Sequence, residues 1–254
     1  MPVIIPARAD ELFQCHPNPP DQGPVGRKAD LYLQIYQGGK TGLSPDQVSK
    51  KLTRVEVRKI CRNPDIPVLE AYCTAMSWGV QNLTHFRTSI SKDDGSRSRL
   101  EGLLAELRAS QATRREDFEK TQQTCASIKG LGISFFTKLL FFFRPSEDAY
   151  ILDQHTAKSA HLLFEHSPVL VRNHMPHPET DGSQYADFCE ALENLGLHGG
   201  RQWTGESVER AIFDKPRGKW RRHVETVFPR PQRVAARGES RLRTAQGLSG
   251  LPFG

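Results

Sequence analysis

Residues 125–155 read CASIKGLGISFFTKLLFFFRPSEDAYILDQH, and the order of residue types within them decides the fold. Lys129-Gly-Leu-Gly132 is a tight turn, because glycine lacks a Cβ and tolerates the positive φ that other residues avoid. Both Gly130 and Gly132 are expected to use that freedom. Upstream, Thr113-Arg-Arg-Glu116 has the form of a capping box and opens a helix running to about Ile128. Downstream, Ile133–Phe143 is a strongly apolar helix that ends at Arg144-Pro145. A helix beginning directly after a glycine turn presents bare N–H groups and the positive end of its dipole, which suits a phosphate. A plain corner between two helices would look the same at the turn. The residues beyond that second helix are less ordinary: Asp153 comes after an apolar triplet, ready to cap a helix that starts at Gln154.

Outward from this stretch the pattern stays helical. Ser44-Pro-Asp-Gln47 starts a helix reaching about Arg62, and Val68–Trp78 forms another. Leu100, Leu103, Leu104 and Leu107 share one helical face. Helices are also expected over 154–164, 183–195 and 205–213, with residues 166–182 as a loop. Alternating apolar and polar runs are scarce and no repeat occurs. The class is all-α, with about eight helices. Residues 1–40 read as an N-terminal arm or loop, since HPNPPDQGPVG resists regular structure. Residues 41–229 form the helical domain, with its hairpin at 129–133. Residues 230–254 form a basic tail expected to be disordered.

The chain has 254 residues, of which 37% are hydrophobic and 8% aromatic, with a mean hydropathy of −0.54. That is polar but sufficient for a core, and no stretch approaches the ~18 apolar residues of a membrane span. The N-terminus lacks the basic start of a secretory signal, so a cytosolic protein is expected. Five scattered cysteines with no C-x-x-C pair argue against a zinc ribbon, a four-cysteine iron–sulfur cluster and a disulfide framework. The net charge is +6, and residues 201–254 carry 12 Lys and Arg against 5 Asp and Glu. Arg217, Lys219, Arg221 and Arg222 surround Trp220 in PRGKWRRH, a patch suited to a polyanion such as nucleic acid.

Helix, Gly-x-Gly turn, second helix, short loop and aspartate together resemble the helix-hairpin-helix DNA glycosylase superfamily. Asp153 lies 21 residues after Gly132, close to the superfamily's spacing, and Asp153-Gln-His155 is most similar to the 8-oxoguanine DNA glycosylase branch. The match is firm over about thirty residues. It implies an all-α glycosylase fold with a cleft between two helical subdomains and catalysis by Asp153. It further implies phosphate binding by Lys129, Gly130, Leu131, Gly132 and His155. No cofactor is required, and a monovalent cation at the hairpin is the one ion the resemblance suggests; no metal site is expected. The partner implied is double-stranded DNA with a modified base, bound by a monomer away from membranes and, in a bacterium, at the nucleoid.

One position departs from this pattern. Where bifunctional members of the branch carry their catalytic lysine, two residues after the second hairpin glycine, this chain has Ser134. A serine there resembles the adenine-excising branch, which hydrolyses with water, yet the cysteines of that branch's iron–sulfur cluster are absent. Lys138 lies one turn on, on the same helical face. It is either a displaced amine or, as the weightier expectation, a phosphate-binding or solvent-facing lysine. Trp78 and Gln81, with His85 nearby and Gln154 beside the aspartate, have the aromatic and amide groups that a base pocket needs.

Three function classes remain open: a monofunctional N-glycosylase using Asp153, a glycosylase/AP lyase using Lys138, and a non-catalytic DNA-binding protein. DNA binding alone does not need Asp153, which weighs against the third. The base is oxidised guanine by family default, with a hypermodified base of phage DNA as the alternative, which would make the role antiviral defence instead of repair.

Overall fold

The computed structural model describes residues 2–21, 26–36, 41–79, 83–91, 95–214 and 218–229. Among them run thirteen helices: α1 (Pro6–Cys15), α2 (Asp30–Tyr36), α3 (Pro45–Ser49), α4 (Arg54–Arg62), α5 (Val68–Ser77), α6 (Leu83–Ser89), α7 (Ser96–Arg108), α8 (Arg114–Ala126), α9 (Ile133–Phe143), α10 (Gln154–Leu163), α11 (Gly182–His198), α12 (Gly205–Phe213) and α13 (Lys219–Val227). A single antiparallel pair, β1 (Val171–Arg172) with β2 (Met175–Pro176), sits between α10 and α11. The all-α class is therefore correct.

Helix α9 is the axis of one half. Its residues from Phe136 to Phe143 are all buried, as an all-round apolar helix requires. It is enclosed by α4, α5, α7 and α8. The second half gathers around α10, which packs against α1, α12, α13 and the β pair. Helix α11 bridges the halves by lying on both α8 and α12. The connection from α9 to α10 is anchored at its start by Arg144. That side chain is buried, ion-pairs with Asp117 and Asp148, and donates to the Thr113 carbonyl at 3.2 Å.

Four expectations need correction. Residues 1–40 are not simply an arm or loop, because α1 buries Ala9 and Leu12 against α10 and α13, and α2 packs on α5 and α6. Pro6 in its first turn and apolar residues at helical spacing explain that helix. The helix expected over 44–62 is two helices. Thr53 and Glu56 form a second capping box that starts α4 afresh. The Thr53 backbone N–H holds the Glu56 carboxylate at 2.7 Å and, aided by Lys50 and the Thr53 hydroxyl, lowers its pKa to about 2. The loop over 166–182 contains the β pair. Finally, the expected eight or so helices are thirteen among the described residues, because α2, α6 and α13 are short helices that packing decides more than local pattern. The tail 230–254 lies outside the described residues.

Candidate active site

The turn between α8 and α9 is built as its glycines suggest, with one difference. Gly130 has φ +90°, and a Cβ there would sit 2.7 Å from the His85 carbonyl oxygen, so a side chain is excluded twice. Gly132 has φ −76°, which any residue can adopt, and a Cβ there would meet nothing within 4 Å among the described residues. The backbone therefore does not need a glycine at 132; the space in front of it is open. Gly132 is the N-cap of α9 without a side-chain cap. The first bonds of the helix run from Phe135 and Phe136 back to the Gly132 carbonyl, and no described group accepts from the N–H of Ile133 or Ser134. Lys129 is exposed beside them and Leu131 is buried beneath, holding the turn.

Asp153 is the N-cap of α10. Its Oδ1 accepts from the N–H of His155 at 2.7 Å and of Thr156 at 3.0 Å, while the Asp153 N–H donates to Thr156 Oγ1 at 2.8 Å. No described group donates to Oδ2. The capping bonds fix the carboxylate's direction. The residues before it are fixed as well. Thr137 in α9 donates to the Ile133 carbonyl at 2.8 Å and accepts from the Leu152 N–H at 3.1 Å. Tyr185 in α11 accepts from the Tyr150 N–H at 3.1 Å and donates to its carbonyl at 2.8 Å. One threonine thus links the hairpin helix directly to the residue preceding Asp153.

Lys138 faces neither solvent nor phosphate. It is 3% exposed, and its Nζ donates to the Trp78 carbonyl at 2.6 Å, 5.4 Å from the centroid of the Trp78 ring. Burial brings its pKa down to about 7; Asp153 opposes that shift and Arg54 adds to it. Arg54, also buried, stacks 3.9 Å from the Phe141 centroid and pairs with Glu209 and, at 3.8 Å, Glu206. Arg58 pairs with Glu206 at 3.0 Å. Burial raises Glu209 to about 7 despite Arg54, with Asp153 contributing to the rise. Helices α4, α9, α10 and α12 thus contribute Arg54, Lys138, Asp153 and Glu209 to one electrostatic neighbourhood. Sequence reading missed Arg54 and Glu209. Thr53-x-x-Glu56 marked the start of α4, but pairing across 155 positions leaves no local signal.

Other expected site residues are more dispersed. Ser134 lies in the first turn of α9, its Oγ shielded and without a hydrogen-bond partner among the described residues. His155 is half-buried, its ring edge-on to Phe213 at 6.0 Å, and burial lowers its pKa, so a neutral imidazole is favoured near pH 7. Gln154 is half-buried at the start of α10. Trp78 is not an open stacking wall: it is 4% exposed, packed edge-on against Phe142 at 5.4 Å with Arg54 and Lys138 near its ring. His85 instead belongs to the hairpin, its ring 5.2 Å from Phe135. Gln81 and Arg217 lie outside the described residues. In the basic patch, Trp220 is fully buried and anchors α13, with Lys219 and Arg222 exposed. Arg221 corrects the expectation: it turns inward, donating to the Phe213 carbonyl at 2.6 Å, because the anchored tryptophan directs its neighbour toward the protein. Among the described residues no three His, Cys, Asp or Glu side chains are grouped to hold a metal ion, and no helix is long and apolar enough to cross a membrane.

No curated protein and no solved structure matches the chain. A family profile does, over residues 30–213, well beyond half of the chain and spanning the hairpin, Asp153 and Glu209. Its description is "Putative 8-oxoguanine DNA glycosylase OGG-like protein". With the hairpin, the capping aspartate and the all-helical fold already in place, the chain belongs to this OGG-like DNA glycosylase family.

Proposed function

We propose that this protein is a monofunctional DNA N-glycosylase that extrudes a modified base from duplex DNA and removes it by hydrolysis at Asp153. The observation carrying this reading is the state of the two carboxylate oxygens. Oδ1 is committed to the helix start and Oδ2 is left over, on a segment tied by Thr137 to the hairpin helix. The open N-terminus of α9, with Lys129 beside it and His155 on α10, takes backbone phosphates and sets the register of the DNA. The target nucleotide leaves the stack. As the glycosidic bond breaks, positive charge grows on the sugar. The Asp153 carboxylate stabilises that charge or takes a proton from the attacking water.

The family description favours oxidised guanine as the base. Hydrolysis is preferred to lyase chemistry because Ser134 offers no amine and the Lys138 amine is buried against the Trp78 carbonyl. The test is an abasic-site assay on duplexes carrying 8-oxoguanine and on phage DNA with hypermodified bases. Strand breaks appearing only after alkali are expected. Breaks without alkali, trapped by borohydride, place the protein with the lyases and make Lys138 the amine to examine. Retarded mobility without abasic sites reduces it to a DNA-binding protein.

A further inference from the structure

A buried lysine is costly unless an acid neutralises it or the group gives up its proton. Lys138 has no carboxylate within ion-pair distance among the described residues, and its one hydrogen-bond partner is a neutral carbonyl. The groups facing it come from every side. Asp153 lies at the start of α10, Arg54 and Cys61 come from α4, and Trp78 closes the end of α5. Glu209 and Glu206 of α12 stand behind Arg54 and are engaged with it. The full charges that act on it are Arg54, already paired, and Asp153, which the reaction uses. A second positive charge here would oppose the cation that forms on the sugar.

We propose that Lys138 is a positioning residue for base release: buried and without an acid partner among the described residues, it ties the end of α5 to α9 through the Trp78 carbonyl and leaves the Asp153 carboxylate free to act on the sugar. This rests on the assignment of Asp153 above. When Lys138 takes up a proton, its charge competes for that carboxylate and disfavours the transition state. Burial places the exchange near neutrality, at about 7. Base release therefore rises with pH through that region.

The same burial sets the sign for stability. The folded-state value lies below the ordinary value of 10.5. The stability contributed by Lys138 is present above the unfolded value and is lost as pH falls through the folded one. A Lys138→Met variant, close in shape and never charged, should therefore gain in Tm relative to the parent as pH falls from about 10 to about 7.

The experiment has two arms. In the free protein, the Lys138 side chain is titrated by NMR, its signal assigned by loss in Lys138→Met. A midpoint near neutrality is expected, moving lower in Asp153→Asn because the opposing carboxylate is gone. In single-turnover release from an 8-oxoguanine duplex over pH 5.5–9, the parent should show an acid limb. Lys138→Met should lose that limb: it should be severalfold slower than the parent at pH 9, since the Trp78 carbonyl is released, and no slower than the parent at pH 5.5. Lys138→Arg, charged at every pH, should be slow throughout. A Lys138 midpoint in the ordinary lysine range, or an acid limb unchanged in Lys138→Met, overturns the proposal, as does a borohydride-trapped adduct on Lys138. Undiminished release by Asp153→Asn overturns instead the assignment of Asp153, and the two failures are distinct.

Discussion

Helices α9 and α10 begin within one neighbourhood and solve the same electrostatic problem in opposite ways. Both N-termini expose N–H groups and a partial positive charge that favour an anion. Helix α10 supplies its own: Asp153 caps it, and the carboxylate is aimed by that act. Helix α9 supplies none. Gly132 brings no side chain, and among the described residues nothing accepts from the N–H groups of Ile133 and Ser134 or occupies the place of a Cβ. A filled terminus orients a catalytic group, while an empty one is left for a ligand. Under the proposed function, the pairing lets one terminus take DNA phosphate while the other holds the Asp153 charge where the sugar arrives.

The largest effect should come from neutralising the filled terminus. Asparagine caps helices as well as aspartate does, so Asp153→Asn should keep the melting temperature. It should nevertheless slow base release by roughly 10²- to 10⁴-fold and leave duplex affinity within a few fold, as expected of a charge used mainly in the transition state. Unimpaired release under single-turnover conditions removes Asp153 from the mechanism.

Filling the empty terminus is the converse. Gly132→Asp gives α9 the cap it lacks and should stabilise the protein by about 0.3–1 kcal/mol. The same carboxylate repels phosphate, so affinity for every duplex should fall by roughly tenfold whatever its base. Gly132→Val, which the backbone tolerates, should weaken binding by bulk alone. If both variants bind DNA normally in a gel-shift titration, the phosphate site lies elsewhere.

Cutting the tie between the two termini should have a smaller effect. Thr137→Val removes the acceptor for the Leu152 N–H and should cost about 1–3 kcal/mol of stability. Release should slow severalfold, with DNA affinity unchanged, since Asp153 loses its fixed position while the α9 terminus does not move. A variant that is destabilised yet releases base at the parent rate separates the tie from catalysis.

The smallest effect is expected outside the comparison, on α13. Arg222→Ala should flatten the dependence of log affinity on log salt by about one unit if it meets a phosphate. Arg221→Ala should leave the slope unchanged and lower Tm, because its guanidinium serves the Phe213 carbonyl. A slope flattened by Arg221→Ala contradicts its inward orientation.

Much of this was legible in order and spacing. Ser44 to Gln47, Thr113 to Glu116 and Asp153 each announce a helix start, because a cap and its partner are only a few residues apart. The apolar run of α9 likewise announces its own burial. Less legible was α1, whose few apolar residues come after a proline and become a helix face only when α10 and α13 cover them. Arg221 and Arg222 are adjacent and identical in type, yet one faces the protein and the other solvent, and only the placement of Trp220 distinguishes them.

The sequence by itself determined the helical class, the glycine turn, the capping aspartate and the separation between them, since each depends on hydrogen bonds and backbone preferences acting over a few residues. Tertiary structure decided which of these groups share an electrostatic environment. Arg54 reaches Glu209 across the whole middle of the chain, and Lys138 loses its water on meeting Trp78. Charge interactions and desolvation depend on distance in space and on burial, and neither quantity exists until the helices have packed.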